Sequence, residues 1–175
     1  MSTGAAAQLA MSLNFITLIV LAVWRFAPWA RSRSLVEALA PLVAIHAGRT
    51  IALQLYSAQE AGFAISDSVR NQIIWGDQLG AVLAIATLIT LWRAPRFAPM
   101  MAWILVAATV IDLSNALIAG IRHDLLAEAT DVSWMILTFY VPLLWTSIAL
   151  VAWLLITHGR SETDPAAHGA LKETA

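Results

Sequence analysis

Five apolar stretches, each long enough to cross a membrane as an α-helix, dominate this chain. They cover approximately residues 11–29, 35–56, 73–92, 97–121 and 132–157. A hydrocarbon core of about 30 Å takes about 20 helical residues, and the segments between the stretches are too short to form a soluble domain. The sequence therefore predicts an all-α integral membrane protein, with a bundle of five transmembrane helices in residues 1–158. The polar segment 159–175 is predicted to be a disordered cytoplasmic tail.

Composition supports this class and excludes several partners and cofactors. Hydrophobic residues make up 60% of the chain and charged residues 12%, about half the charged fraction of a soluble domain. A net charge of −1 without a basic block argues against nucleic acid. The absence of cysteine excludes disulfides and thiolate metal sites, and the only lysine, Lys172, lies in the tail, which excludes a retinal Schiff base. We predict no metal site, and the sequence indicates no particular cofactor.

Basic residues lie mainly on one side of the predicted bundle. Arg70 and Arg122 lie on the other side, and Arg49 lies within the second stretch. The seven remaining basic residues share one side: Arg25, Arg31, Arg33, Arg93, Arg96, Arg160 and Lys172. Because arginine and lysine in short loops favour the cytoplasmic side, we predict that the N-terminus lies outside and the C-terminus in the cytoplasm. No basic residue precedes the first stretch, which argues against a cleaved signal peptide. We expect insertion in a bacterial inner (plasma) membrane.

The most informative feature is a set of polar residues inside the apolar stretches. An ionisable side chain costs about 2.5–3.5 kcal/mol on insertion scales, so those present are candidates for a functional site. With a rise of about 1.5 Å per residue, all of them lie in the predicted outer half of the bilayer. The candidate ligand-binding residues are Arg49, Asp77, Asp112, Asn115, Tyr140, His46 and Gln54. His46 by itself is more typical of a hydrogen-bonded core histidine than of a metal ligand.

Helical spacing predicts which candidates share a face. One face of the second stretch carries His46, Arg49, Thr50 and Gln54. One face of the fourth stretch carries Thr109, Asp112 and Asn115, at intervals of three residues. In the third stretch, Gly80 suits a close approach between helices. In the fifth, Pro142 leaves a free backbone carbonyl near Thr138, because proline has no N–H. We therefore expect the polar groups of four helices to converge.

Charge and depth together predict an ion pair. Counted from the outer ends of the helices, Arg49 lies roughly 10 Å deep, Asp112 roughly 14 Å and Asp77 roughly 6 Å. We expect Arg49 to pair with Asp112 and Asp77 to have no arginine of its own. Asp77 must then face water, accept hydrogen bonds or stay protonated. A carboxylate left over beside an ion pair would suit a cation, an amine or a proton. The alternative is that the pair only holds the helices together.

Three functions from different classes fit these features. The first is an outward-facing intramembrane site that binds or transports a small molecule, a cation or a proton. Five helices are few for alternating access, so this function favours a homodimer. The second is an accessory subunit whose polar residues meet the helices of a larger membrane complex. The third is an intramembrane enzyme acting on a lipophilic substrate, with Asp77 or His46 transferring a proton and Trp103 and Trp145 lining a lipid-open cavity. The lipid bilayer is a partner in all three.

Overall fold

The computed structural model describes residues 1–162, and the side chains of residues 1–158. Every element in that part of the chain is helical. Five helices are long and apolar enough to cross a membrane: α1 (Thr3–Arg31), α2 (Leu35–Glu60), α3 (Asp67–Arg93), α4 (Pro95–Arg122) and α5 (Asp131–His158). The predicted all-α fold with five such helices is confirmed. The helical backbone of α5 continues to Glu162, so residues 159–162 of the predicted disordered tail are helical. The rest of that tail, residues 163–175, lies outside the described residues.

The helices α1 and α3 begin well before the apolar stretches that predicted them. The hydroxyl of Ser2 accepts a hydrogen bond from the backbone N–H of Ala5, and the hydroxyl of Ser66 accepts one from Val69. Serine at this position satisfies a backbone donor that the first turn of a helix leaves free. Hydropathy marks only the apolar part of such a helix, whereas its start is set by the capping residue.

Four of the long helices close on one another, and the first lies outside them. In the order α2, α3, α4, α5, each helix packs against the next, and α5 packs back against α2. The shared core includes the fully buried side chains of Leu39, Leu105 and Leu154. Helix α1 packs against α5 and against the short helix Leu125–Glu128. Only 11% of its most apolar window is buried, compared with 28–39% in the other four helices. The molecule is therefore a four-helix bundle with one peripheral helix.

A proline in α5 provides the contact point for α1. Residues Ile136–Tyr140 form a π-helical turn just before Pro142. Because proline has no N–H, the carbonyl of Thr138 lacks its usual helical donor. The side-chain amide of Asn14 on α1 donates to that carbonyl over 2.9 Å. The expected free carbonyl near Thr138 is confirmed, and a side chain from a neighbouring helix satisfies it.

The helix α2 changes its winding in the middle. Residues Gly48–Leu53 form a 3-10 helix, in which side chains three residues apart lie on one line. The buried residues of this part of α2 follow that spacing: Val43, His46, Arg49, Ala52 and Leu55. Thr50 and Gln54 are exposed. The prediction that these two share a face with Arg49 is wrong, because it assumed a regular α-helix.

Candidate functional site

Arg49 is fully buried at the centre of the four-helix bundle, where its guanidinium bridges two carboxylates. Its Nε donates to Oδ1 of Asp77 on α3 over 2.6 Å. Its Nη2 donates to Oδ2 of Asp112 on α4. Its Nη1 donates to Oγ1 of Thr109, also on α4, over 3.3 Å. One side chain from α2 thus holds α3 and α4 together.

The predicted pair of Arg49 with Asp112 is present, but the expectation that Asp77 has no arginine is wrong. On the basis of depth, only Asp112, the deeper of the two acids, was expected to pair with the arginine. A guanidinium has five N–H donors directed along different edges, and it can bind two carboxylates at once. Three charged groups of one layer therefore form a single cluster. One cation and two anions leave that cluster with a formal net charge of −1.

Two glycines of α3 make room for this cluster. A Cβ atom on Gly76 would overlap the carboxylate of Asp112, and one on Gly80 would overlap the guanidinium of Arg49. The sequence suggested Gly80 for close helix approach and did not single out Gly76. In the structure, the absence of a side chain at these two positions, one turn apart, lets α3 lie directly against the charged groups. In the sequence, one glycine directly precedes Asp77 and another follows it by three residues. This spacing was the signal from which the close approach of α3 to the charged groups could have been predicted.

A cavity of about 560 Å³ opens beside the two carboxylates. It lies at the end of the bundle where α1 and α3 begin and α2 and α4 end, and all five long helices contribute to its wall. We call it the carboxylate cavity. Its polar side chains towards the bundle centre are Asp77, Asp112 and Tyr140, and most of its remaining wall is apolar. The charged cluster is therefore accessible from a mainly apolar space.

The hydroxyl of Tyr140 is held in a fixed position at this cavity. It donates to the backbone carbonyl of Ile45 on α2 over 2.8 Å. A Cβ atom on Gly48 would lie only 3.0 Å from the same hydroxyl oxygen, so a small residue there lets the two helices meet. With its proton committed to Ile45, the Tyr140 oxygen can offer only an acceptor to a molecule in the cavity.

Four of the seven predicted site residues do not line the cavity, and one of them, Arg49, lies buried against the two carboxylates that do. Gln54 and Asn115 are exposed, and His46 is fully buried with its Nε2 3.0 Å from the hydroxyl of Ser147 on α5. Gln54 is directed outwards by the 3-10 segment. Asn115 is exposed because three residues of an α-helix turn by about 300°, so six residues beyond Thr109 a side chain points about 120° away. The structure brings together Arg49, Asp77, Asp112 and Tyr140.

Three polar residues at the cavity were not predicted. Gln8 and Ser12 of α1 line its wall, and so does Asp124, which follows α4 in a left-handed conformation with φ of 49°. Gln8 and Ser12 are four residues apart and so lie on one face of α1. That spacing is the sequence signal from which their shared position could have been predicted. Nothing in the sequence around Asp124 indicated that the chain turns it towards the cavity.

The tryptophans expected to line a substrate cavity lie elsewhere. Trp103 is exposed on α4, and Trp145 packs against the main hydrophobic core from α5. Neither lines the carboxylate cavity. A lipid-open space lined by these two rings would have favoured an intramembrane enzyme. The carboxylate cavity does not have that lining.

Comparison with known proteins places this bundle in a family without an assigned activity. No curated protein and no solved structure matches the chain. A family model described as "Domain of unknown function (DUF8737)" matches residues 6–156. That range includes the charged cluster, the two glycines beside it and nearly all of the five long helices. The chain therefore belongs to the DUF8737 family.

Proposed function

We propose that this protein is a membrane protein that binds a small, largely apolar molecule in the carboxylate cavity. One observation carries the proposal: a space of about 560 Å³ with mainly apolar walls ends at two carboxylates that share a single arginine. Pockets for small ligands measure about 300–1,000 Å³ and combine apolar walls with a few well-placed polar groups. In the predicted orientation this cavity faces the outer side.

The partial exposure of the two carboxylates supports binding rather than clamping alone. Arg49 is completely buried, but Asp77 and Asp112 keep 15% and 20% of their side-chain surface accessible. A clamp between the three helices would use both carboxylates, but it would not need an adjoining cavity that reaches them. The arginine fixes both carboxylates, so that their remaining surface is presented to the cavity in a defined geometry. Positioned polar groups of this kind orient a ligand.

Filling the cavity tests the proposal. The protein is purified in phosphatidylcholine nanodiscs, and its melting temperature is measured with three probes of equal chain length: decylammonium, decanol and decanoate. Gly120 lines the cavity, and a Cβ atom there would meet nothing within 4 Å, so Gly120→Trp fills space without a backbone clash. The control is Ile118→Trp, on the exposed surface of α4.

We expect at least one probe to raise the melting temperature of the unaltered protein in a saturable way. Gly120→Trp should abolish that rise, and Ile118→Trp should retain it. The proposal is contradicted if no probe binds, or if both tryptophan variants respond like the unaltered protein. In the latter case the probes act on the lipid or on another surface.

The exposed amide of Asn115 favours a second candidate function, that of a subunit in a larger membrane assembly. Polar side chains within transmembrane helices usually face other protein groups, and Asn115 lies two turns before the end of α4 with its side chain outside the bundle. An asparagine in that position can hydrogen-bond across a helix–helix contact. Native electrophoresis of gently solubilised membranes tests this function, since Asn115→Leu should release a smaller particle than the unaltered protein gives.

A further inference from the structure

We infer that the ligand of the carboxylate cavity is an amphiphile with a single positive charge, namely an apolar body that carries one ammonium group. This inference rests on the proposed ligand-binding function and narrows its ligand class. It follows from the charge left at the cluster, from the groups that line the cavity and from the coordination that a metal ion would need.

The charged cluster keeps an excess of negative charge. Arg49 engages Oδ1 of Asp77 and Oδ2 of Asp112. The second oxygen of each carboxylate accepts no hydrogen bond from the described residues, and both side chains keep surface accessible from the cavity. A negative charge in apolar surroundings is unfavourable unless it is paired. The carboxylates therefore offer a cation two oxygens that accept no hydrogen bond from the described residues, and one uncompensated unit of charge.

The charged side chains of the described residues that line the cavity are all acidic. Asp124 adds a third carboxylate to its wall, and among the described residues no lysine, arginine or histidine lines it. The guanidinium of Arg49 is fully buried behind its two partners. A carboxylate or phosphate ligand would meet only like charges there, whereas an ammonium group would be attracted.

The small number of oxygen ligands at the cluster favours an organic ammonium ion over a metal ion. Calcium takes six to eight oxygen ligands and magnesium a near-octahedral set. The cluster has four carboxylate oxygens, and Arg49 occupies two of them. The cavity is otherwise lined mainly by apolar side chains such as Leu113, Leu117 and Leu144. These walls suit an alkyl or aromatic group. Such a group would also fill the part of the cavity that a metal ion at the carboxylates would leave empty.

The same three probes test the charge preference, because they differ only in the head group. In phosphatidylcholine nanodiscs, we expect decylammonium to bind at least about tenfold more tightly than decanol, a ratio that corresponds to about 1.4 kcal/mol. Decanoate should bind more weakly than decanol. Asp77→Asn should bring the ratio of the decylammonium and decanol affinities close to one while decanol still binds. Asp67→Asn, an exposed acid at the start of α3 that does not line the cavity, should keep the preference.

The outcomes distinguish this inference from the function on which it rests. If all three probes bind equally and Gly120→Trp removes all three, the cavity binds ligands but has no charge preference, and the inference is overturned. Preferred binding of decanoate also overturns it. If no probe binds to the unaltered protein, both proposals fail. Binding of decanol to Asp77→Asn shows that this variant is folded. Asp112→Asn is a second variant, and it should also lose the preference for decylammonium over decanol.

Discussion

Asn14 on α1 donates a hydrogen bond to the backbone carbonyl of Thr138 on α5, and that carbonyl is free because residue 142 is proline. This is a polar link between the peripheral helix and the four-helix bundle. It lies beside the helical turn that carries Tyr140 into the carboxylate cavity.

The first prediction concerns this link. Asn14→Leu keeps the volume of the side chain but leaves the Thr138 carbonyl without a donor, so we expect a loss of about 0.5–1.5 kcal/mol in unfolding free energy. Hydrogen exchange in the first half of α1 should rise. Ser12→Ala is the control, because the Ser12 hydroxyl donates only to the carbonyl of Gln8 within its own helix. Equal exchange rates in Asn14→Leu and the unaltered protein would show that α1 does not depend on this bond.

The second prediction ranks the members of the charged cluster. Arg49→Met leaves two buried carboxylates without a cation, and it should cost about 3–5 kcal/mol of stability, the usual effect of removing one side of a buried pair. Asp112→Asn leaves Arg49 paired with Asp77 and removes the excess negative charge, so its cost should be smaller. Unfolding curves in mixed micelles compare the two variants. A larger loss in Asp112→Asn than in Arg49→Met would contradict the shared-arginine arrangement.

The third prediction concerns the glycines of α3. Gly80→Ala places a methyl group where the guanidinium of Arg49 lies, and overpacking of this kind costs about 1–3 kcal/mol. Gly120→Ala provides a matched control, since its Cβ would meet open space and alanine is the better helix former. Melting temperatures should fall for Gly80→Ala and stay level or rise for Gly120→Ala. Equal effects at both positions would show that the guanidinium moves aside at little cost.

The fourth prediction concerns orientation. The bias of seven basic residues against two predicts that the end of the bundle that holds the carboxylate cavity lies outside the cytoplasm. A reporter fused after Ala175 should be cytoplasmic, and one fused before Ser2 should be external. The measurement is the activity of reporters that function on only one side of the membrane. Detection of both termini on one side would mean that one of the five helices does not cross.

Hydropathy and charge predicted the helices and one ion pair because both properties can be read from single residues. The apolar stretches gave the five helices, although Ser2 and Ser66, rather than hydropathy, set the starts of two of them. The pair of Arg49 with Asp112 followed from sign and approximate depth. These arguments need no knowledge of what lies across a helix interface.

The remaining features depend on neighbours that the sequence does not show. Asp77 also pairs with Arg49, because a guanidinium can bind carboxylates along several of its edges. The depth of a residue in the membrane does not describe this geometry. Gln54 lies outside the site because α2 changes after Ala47 from an α-helix to a 3-10 helix. Gly76 is important only because the carboxylate of Asp112, on another helix, lies against it. For Asp77 and Gly76 the deciding contact joins residues far apart in sequence, whereas for Gln54 it is the local winding of α2.

The peripheral position of α1 has a consequence for the order of assembly. Because α2–α5 close on one another, we expect them to assemble first and α1 to dock last, completing the wall of the cavity with Gln8, Met11 and Ser12. The docking equilibrium of one helix, rather than the global stability, then sets the fraction of molecules that can hold a ligand. An occupied cavity would draw that equilibrium towards the docked state, so that occupancy becomes visible as slower amide exchange in α1 while the core exchanges as before.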